Sequence, residues 1–153
     1  MIEWQWSSFW QLSAIELYNI MKARQEVFVV EQHCVYQDID NLDKRAWHLI
    51  GWESKSKQQR LVAYLRVVYP GEKYTEASIG RVLTVSSARG TGLGKQLIAE
   101  SLKRISDECS KALIRISAQT HLERFYANFG FKTVSEPYDE DGISHIEMLR
   151  NSV

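Results

Sequence analysis

RVLTVSSARGTGLGKQLIAE, residues 81–100, runs an apolar stretch into three glycines, Gly90, Gly92 and Gly94, and then into a helical pattern. A strand feeding a glycine loop that opens a helix gathers backbone N–H groups and the positive helix terminus in one place, which suits a phosphate. The glycines let a ligand approach the backbone closely. Two familiar phosphate loops fail on spelling. A P-loop needs four residues between its first Gly and the Gly-Lys, then Ser or Thr; Gly90 and Gly94-Lys95 enclose three, and Gln96 follows. The dinucleotide fingerprint needs G-x-G-x-x-G with a later acid, whereas these glycines are spaced G-x-G-x-G and no acid stands at the end of a second strand. What remains is R-x-x-G-x-G, from Arg89 through Gly92 to Gly94.

Leu93, Leu97, Ile98, Leu102 and Ile105 continue at helical spacing, which predicts a helix from about Gly92 to Glu108. ALIRISAQ, from Ala112, alternates as a strand with Leu113 and Ile116 near the core. THLE then offers a capping box, Thr120 with Glu123, for a short helix through Phe125, Tyr126 and Phe129 to Gly130. Strands around Phe131–Val134 and His145–Arg150 follow, with a turn at Asp141 and Gly142.

Upstream, Ile2–Trp6 alternates as a strand, and Ser13 with Glu16 caps a helix running to about Gln25. VFVVEQ, residues 27–32, is apolar and β-branched without a breaker, and its state stays open. Cys34 to Asp43 reads as a polar, solvated loop with Asp38, Asp40 and Asp43; attraction of a cationic amine is the second reading. Three strand candidates start at Ala46, Arg60 and Ala77, with the polar run Glu53–Arg60 as a hairpin loop. The order of elements, with a strand–loop–helix–strand crossover, predicts a mixed α/β sheet.

The chain's 153 residues suit one domain over residues 1–153, and no linker is visible. Nineteen basic and nineteen acidic residues cancel, which gives no electrostatic case for nucleic acid. No apolar run approaches a bilayer span, and the N-terminus lacks the basic and apolar regions of a secretory signal, so neither membrane residence nor secretion is expected. Two cysteines, Cys34 and Cys109, in no paired spacing argue against a disulfide framework or a metal site and for a cytoplasmic location. Trp4, Trp6 and Trp10 could mark a homodimer edge or cap the core.

R-x-x-G-x-G resembles motif A of the GNAT acyltransferases, and HLERFYANFGF resembles the family's Y-x-x-x-G-F segment at Tyr126, Gly130 and Phe131. RQEVFVVEQHCVYQDIDNLD, AWHLIGW, IGRV, AQTHLERFYANFGF and YDEDGISHIEM are similar in order and wording to the ElaA-like subgroup, from about Leu17 to Met148. The resemblance implies the GNAT fold: a mixed, mostly antiparallel sheet, splayed at the acetyl-CoA site and flanked by helices. It implies that Arg89, Gly90, Thr91, Gly92, Leu93, Gly94 and Lys95 cradle the pyrophosphate of acetyl-CoA. It also implies that backbone groups of Val82, Leu83 and Thr84 meet the pantetheine, and that Gln119 stands where many members have Asn. The implied activity is acetyl transfer to a primary amine, small molecule or peptide; the alternative is a CoA-binding or interaction module without turnover.

Such a transfer makes two proton demands. An alkylammonium with pKa near 10.4 is neutral roughly once in 2,500 molecules at pH 7, a deficit of about 4–5 kcal/mol that a base or desolvation must cover. The departing thiolate needs a proton, for which Tyr126 matches the family's general acid. The base is open: three side chains are candidates, each with a structural hydrogen bond as its other reading, and a water-mediated base or an amine arriving neutral would require none of them. His48 and His145 carry imidazoles in strand candidates. Glu31 is an acid in an apolar run, where burial would raise its pKa.

Overall fold

The computed structural model describes residues 1–151. Four alternating segments pair antiparallel in the order β1 (Ile2–Ser8), β2 (Ala46–Lys55), β3 (Gln58–Val68) and β4 (Ser78–Thr84). The polar run between β2 and β3 is mostly strand, not loop. It turns within two residues, Ser56 and Lys57, whose φ of 52° and 65° are the left-handed values that match the twist of a tight hairpin.

Both faces of this sheet are covered. Helix α1 (Ala14–Arg24), with the capping box Ser13–Glu16 in place, presents Ile20 and Ala23 to Ile50, Trp52, Tyr64 and Leu83. Its continuation, Gln25–Glu31, is π-helical: VFVVEQ carries no breaker and stays helical, with Val27 buried and Val30 exposed. On the other face, α2 (Leu93–Glu108) buries Leu93, Leu97, Ile98 and Ile105 against Leu49, Leu65 and Val67. Each such side chain contributes about 1.5–3 kcal/mol on leaving water.

After α2 the chain forms β5 (Ile114–Gln119), α3 (Glu123–Ala127), β6 (Lys132–Thr133), β7 (Tyr138–Glu140) and β8 (Ile143–Arg150). β8 pairs antiparallel with β5, β6 and β7. Asp141 and Gly142, φ 52° and 83°, make the β7–β8 turn. Three expectations change here. β5 begins at Ile114, and Leu113 is 43% exposed. Thr120 and Glu123 form no capping box, because the Thr120 hydroxyl bonds Ser144 and the Glu123 carboxylate accepts from Thr133 across to β6. Trp4 and Trp6 are half-buried, Trp6 stacking on Trp47 at 5.6 Å, which leaves Trp10 as the exposed one of the three.

The two halves meet where β4 and β5 run parallel. They join through one bridge, Ala77 with Ile114, at which Arg115 N donates to Ala77 O at 2.8 Å. Beyond it no ladder joins them among the described residues, so the sheet opens towards the C-terminal ends of both strands.

Candidate functional site

A β-bulge shapes the β4 side of this opening. Between the pairs Arg66–Gly80 and Tyr64–Leu83, the single Leu65 faces both Arg81 and Val82. Arg81 takes the extra step at φ 53°. The bulge reverses the alternation: Ile79 and Val82 lie on the α2 face, while Leu83 turns to the α1 face. The parting of β4 from β5 leaves a cavity of about 280 Å³, lined by Val82 on β4, Gln119 on β5, Tyr126 on α3 and His145 on β8.

The glycine loop sits at the end of β4. Gly90 and Gly92 have φ of 81°, and Gly92 closes the loop as the left-handed residue before α2. Gly94 has no such constraint and lies inside the first turn of α2, where glycine costs roughly 1 kcal/mol relative to alanine. A Cβ there would meet no atom within 4 Å. Neither packing within the protein nor a left-handed backbone requires glycine at Gly94. Thr91 turns its hydroxyl back to Ala88 O at 2.8 Å, Leu93 is in the core and Lys95 is exposed. What the loop offers at the start of α2 is therefore mainly backbone N–H groups and the helix terminus.

Arg89 Nε donates to Thr84 O at 3.0 Å, occupying a carbonyl at the end of β4, and its guanidinium bonds Glu31. Of Val82, Leu83 and Thr84, Val82 alone has its side chain on the cavity.

Tyr126 is 6% exposed, packed edge-on against Phe125 and Phe131 at 5.2 and 5.8 Å. Burial pushes its phenol up to about 12. Among the described residues nothing hydrogen-bonds its hydroxyl. It remains a protonated donor on the cavity wall.

The three candidate bases part company. His48 is fully buried on the α1 face, away from the cavity. Its Nε2 donates to Asp43 O at 2.9 Å and its Nδ1 accepts from Tyr64 Oη at 2.7 Å, so both nitrogens are used. Burial lowers its pKa and keeps it neutral. Glu31 lies at the exposed end of the π-helical segment, so the burial expected of it is absent. His145 is the candidate on the cavity wall. Its Nδ1 lies 2.8 Å from Ile143 O, which accepts only, so Nδ1 donates there and Nε2 is the nitrogen left to exchange a proton. Nε2 is 3.3 Å from Glu140 Oε2, and the ring stacks on Tyr138.

The acidic loop is not solvated. Asp43 takes Arg24 at 2.6 Å and Arg66 at 2.9 Å, Asp40 takes Arg66 at 2.6 Å and Arg81 at 3.2 Å, and Asp38 takes Arg24 at 2.9 Å and Arg81 at 2.7 Å. Burial alone would raise the Asp43 carboxyl; Arg24 and then Arg66 overrule it and hold it below the ordinary value. Three charges of each sign thus cancel in a lattice joining α1, the loop, β3 and the β4 bulge. Cys34, beside the same cavity, donates its thiol to Asp141 O. Among the described residues no group of three or more His, Cys, Asp or Glu is arranged to hold a metal ion, and no helix is long and apolar enough to cross a membrane.

Residues 18–151 match the acetyltransferase (GNAT) domain family. The chain belongs to the GNAT acetyltransferases. A UPF0039 protein of Synechocystis is 45% identical over 97% of this chain and 94% of its own. The crystal structure of Escherichia coli ElaA superposes with a TM-score of 0.89 at 40% identity, covering 98% of this chain and 99% of that one. An acyl-CoA N-acyltransferase from Pseudomonas aeruginosa gives a TM-score of 0.92 at 39% identity, with the same coverage. The expected GNAT fold and ElaA-like membership are what these relatives share with this chain. Membership in the GNAT family carries acyl-CoA-dependent acyl transfer as the general chemistry.

Proposed function

We propose that this GNAT protein moves an acetyl group from acetyl-CoA directly to a primary amine. The observation that carries the reading is one cavity, between β4 and β5, lined by both Tyr126, whose hydroxyl has no partner among the described residues, and His145, whose Nε2 is backed by Glu140. In this reading the loop Arg89–Lys95 holds the pyrophosphate. Val82, Leu83 and Thr84 border the pantetheine from β4, and Gln119 borders it from β5.

The chain's residues then meet the two proton demands separately. His145 Nε2 takes the extra proton of the amine, and Glu140 stabilises the imidazolium that forms. The neutral nitrogen attacks the thioester carbonyl, the C–N bond forms, and the C–S bond breaks. Tyr126 gives its phenolic proton to the departing sulfur, and the second proton that the nitrogen sheds on becoming an amide restores the phenol. The buried surroundings that raise the phenol also raise the basicity of a thiolate formed beside it, so the transfer is less uphill than the two solution values imply. Incubation of the protein with acetyl-CoA and a panel of primary amines, read by mass spectrometry, tests the reading: an N-acetylated amine supports it. Tight acetyl-CoA binding without any acetylated amine favours the non-catalytic module.

A further inference from the structure

The cavity wall carries two members of the arginine–aspartate lattice, Arg81 and Asp40, and within that lattice the charges cancel. Three charged residues on the same wall stand outside that lattice, Lys73, Glu140 and Asp141, and Lys73 is the cation among them. Lys73, in the connection between β3 and β4, lines the cavity and has no ion-pair partner among the described residues. Its ammonium lies beside the ring of Tyr74, 5.4 Å from the centroid. Glu140, on β7, has the imidazole of His145 and the Ser117 hydroxyl within reach and no Lys or Arg among the described residues. No ion pair or hydrogen bond joins Lys73 to Glu140 among the described residues. They are opposite charges held apart on the rim of one space.

The geometry points to an acceptor that is itself a zwitterion, an amine bearing a carboxylate as in a free amino acid, with its nitrogen beside Glu140 and His145 and its carboxylate facing Lys73. The inference rests on the acetyl-transfer reading of the same cavity. Partial desolvation, then Arg66 and Arg81, depress the Lys73 ammonium, while Glu140 and Asp40 act the other way. An arriving carboxylate supplies the counter-charge that position lacks. A volume of about 280 Å³, shared with the thioester end of the acyl donor, suits a molecule of amino-acid size. A peptide N-terminus lacks the α-carboxylate, and unless its first residues are acidic it offers Lys73 no counter-charge.

The test uses matched pairs that differ only by the carboxylate, phenylalanine with phenethylamine and lysine with cadaverine, on the whole protein. Two quantities are read: kcat/KM with acetyl-CoA, and binding of the N-acetylated members in the presence of CoA by calorimetry. The expected result is at least a tenfold preference for the carboxylate-bearing member of a pair. In Lys73→Met the preference collapses to within twofold, in Lys73→Glu it reverses, and Lys73→Arg restores it. Equal binding of both members, or a preference that survives Lys73→Met, overturns the inference and leaves acetyl transfer standing. Carboxylate-selective binding that depends on Lys73, with no amine turned over, supports the inference and sinks acetyl transfer. Acetylation of Lys73 itself by acetyl-CoA alone also overturns it.

Discussion

Arg89 Nη2 lies 2.8 Å from Glu31 Oε2, tying the first residue of the glycine loop to the last turn of the π-helical segment. The pair is partly exposed, and such pairs contribute at most about 1 kcal/mol. Its consequence is competition, because a guanidinium engaged with a carboxylate is less available to a phosphate.

Glu31→Gln should therefore tighten acetyl-CoA binding by up to about fivefold, an effect that fades with added salt as exposed charges are screened. It should leave kcat within twofold, since the carboxylate is turned to Arg89. Titration calorimetry and steady-state rates check both; a large fall in kcat would return Glu31 to the list of bases.

Gly94→Ala separates stability from function. With no atom within 4 Å of a Cβ there, the fold should gain about 0.5–1 kcal/mol from helix propensity. The methyl group obstructs the phosphate, so acetyl-CoA affinity should drop by about tenfold or more. Thermal unfolding with and without acetyl-CoA reads both signs, and a stabilised variant with undiminished affinity would show that the loop holds no phosphate.

Acid should destabilise the fold in two steps. His48 is held neutral by burial, its folded pKa below the unfolded value near 6.5, so its contribution is complete above pH 6.5 and is lost as pH falls below it. Asp40 and Asp43 are depressed against unfolded values near 3.9, burial being overruled by Arg66 for Asp40 and by Arg24 for Asp43. Their contribution is complete above pH 4 and is lost below it. Denaturant midpoints from pH 8 to 3 should decline from about pH 6.5 and more steeply below 4. His48→Gln should remove the first decline and keep the second.

His145→Gln should lower kcat/KM about 100-fold at pH 7. The deficit should narrow as pH approaches 10, because the amine then loses its proton without help. A deficit that does not change with pH would mean that His145 shapes the cavity without taking a proton.

Much of the site was legible because its signals are local. The glycine spacing, the 3.6-residue period of α2 and the Tyr126–Gly130–Phe131 spelling each occupy a short window. The arginine–aspartate lattice was not legible, since its bonds join residues up to 43 apart and three aspartates in a polar stretch read the same whether solvated or paired. The clue lay elsewhere, in Arg66, a charge inside the apolar run LVAYLRVV that must have a partner once the strand is buried. His48 and His145 both fall in strands, and which faces the cavity depends on register and on the splay of β4 from β5. The Arg81 bulge and the short β7 leave no periodic trace, because one changes parity with a single residue and the other spans three.

The most direct test is the rate of CoA release from acetyl-CoA with saturating amine, compared between wild type and Tyr126→Phe. Among the described residues the Tyr126 hydroxyl has no hydrogen-bond partner, and its raised pKa keeps it protonated across the working range, so its loss should cost little stability. The account predicts amine-dependent release in the wild type, at least a 100-fold lower kcat in the variant and unchanged acetyl-CoA affinity. Equal rates in the two proteins, or release that does not depend on amine, would contradict it.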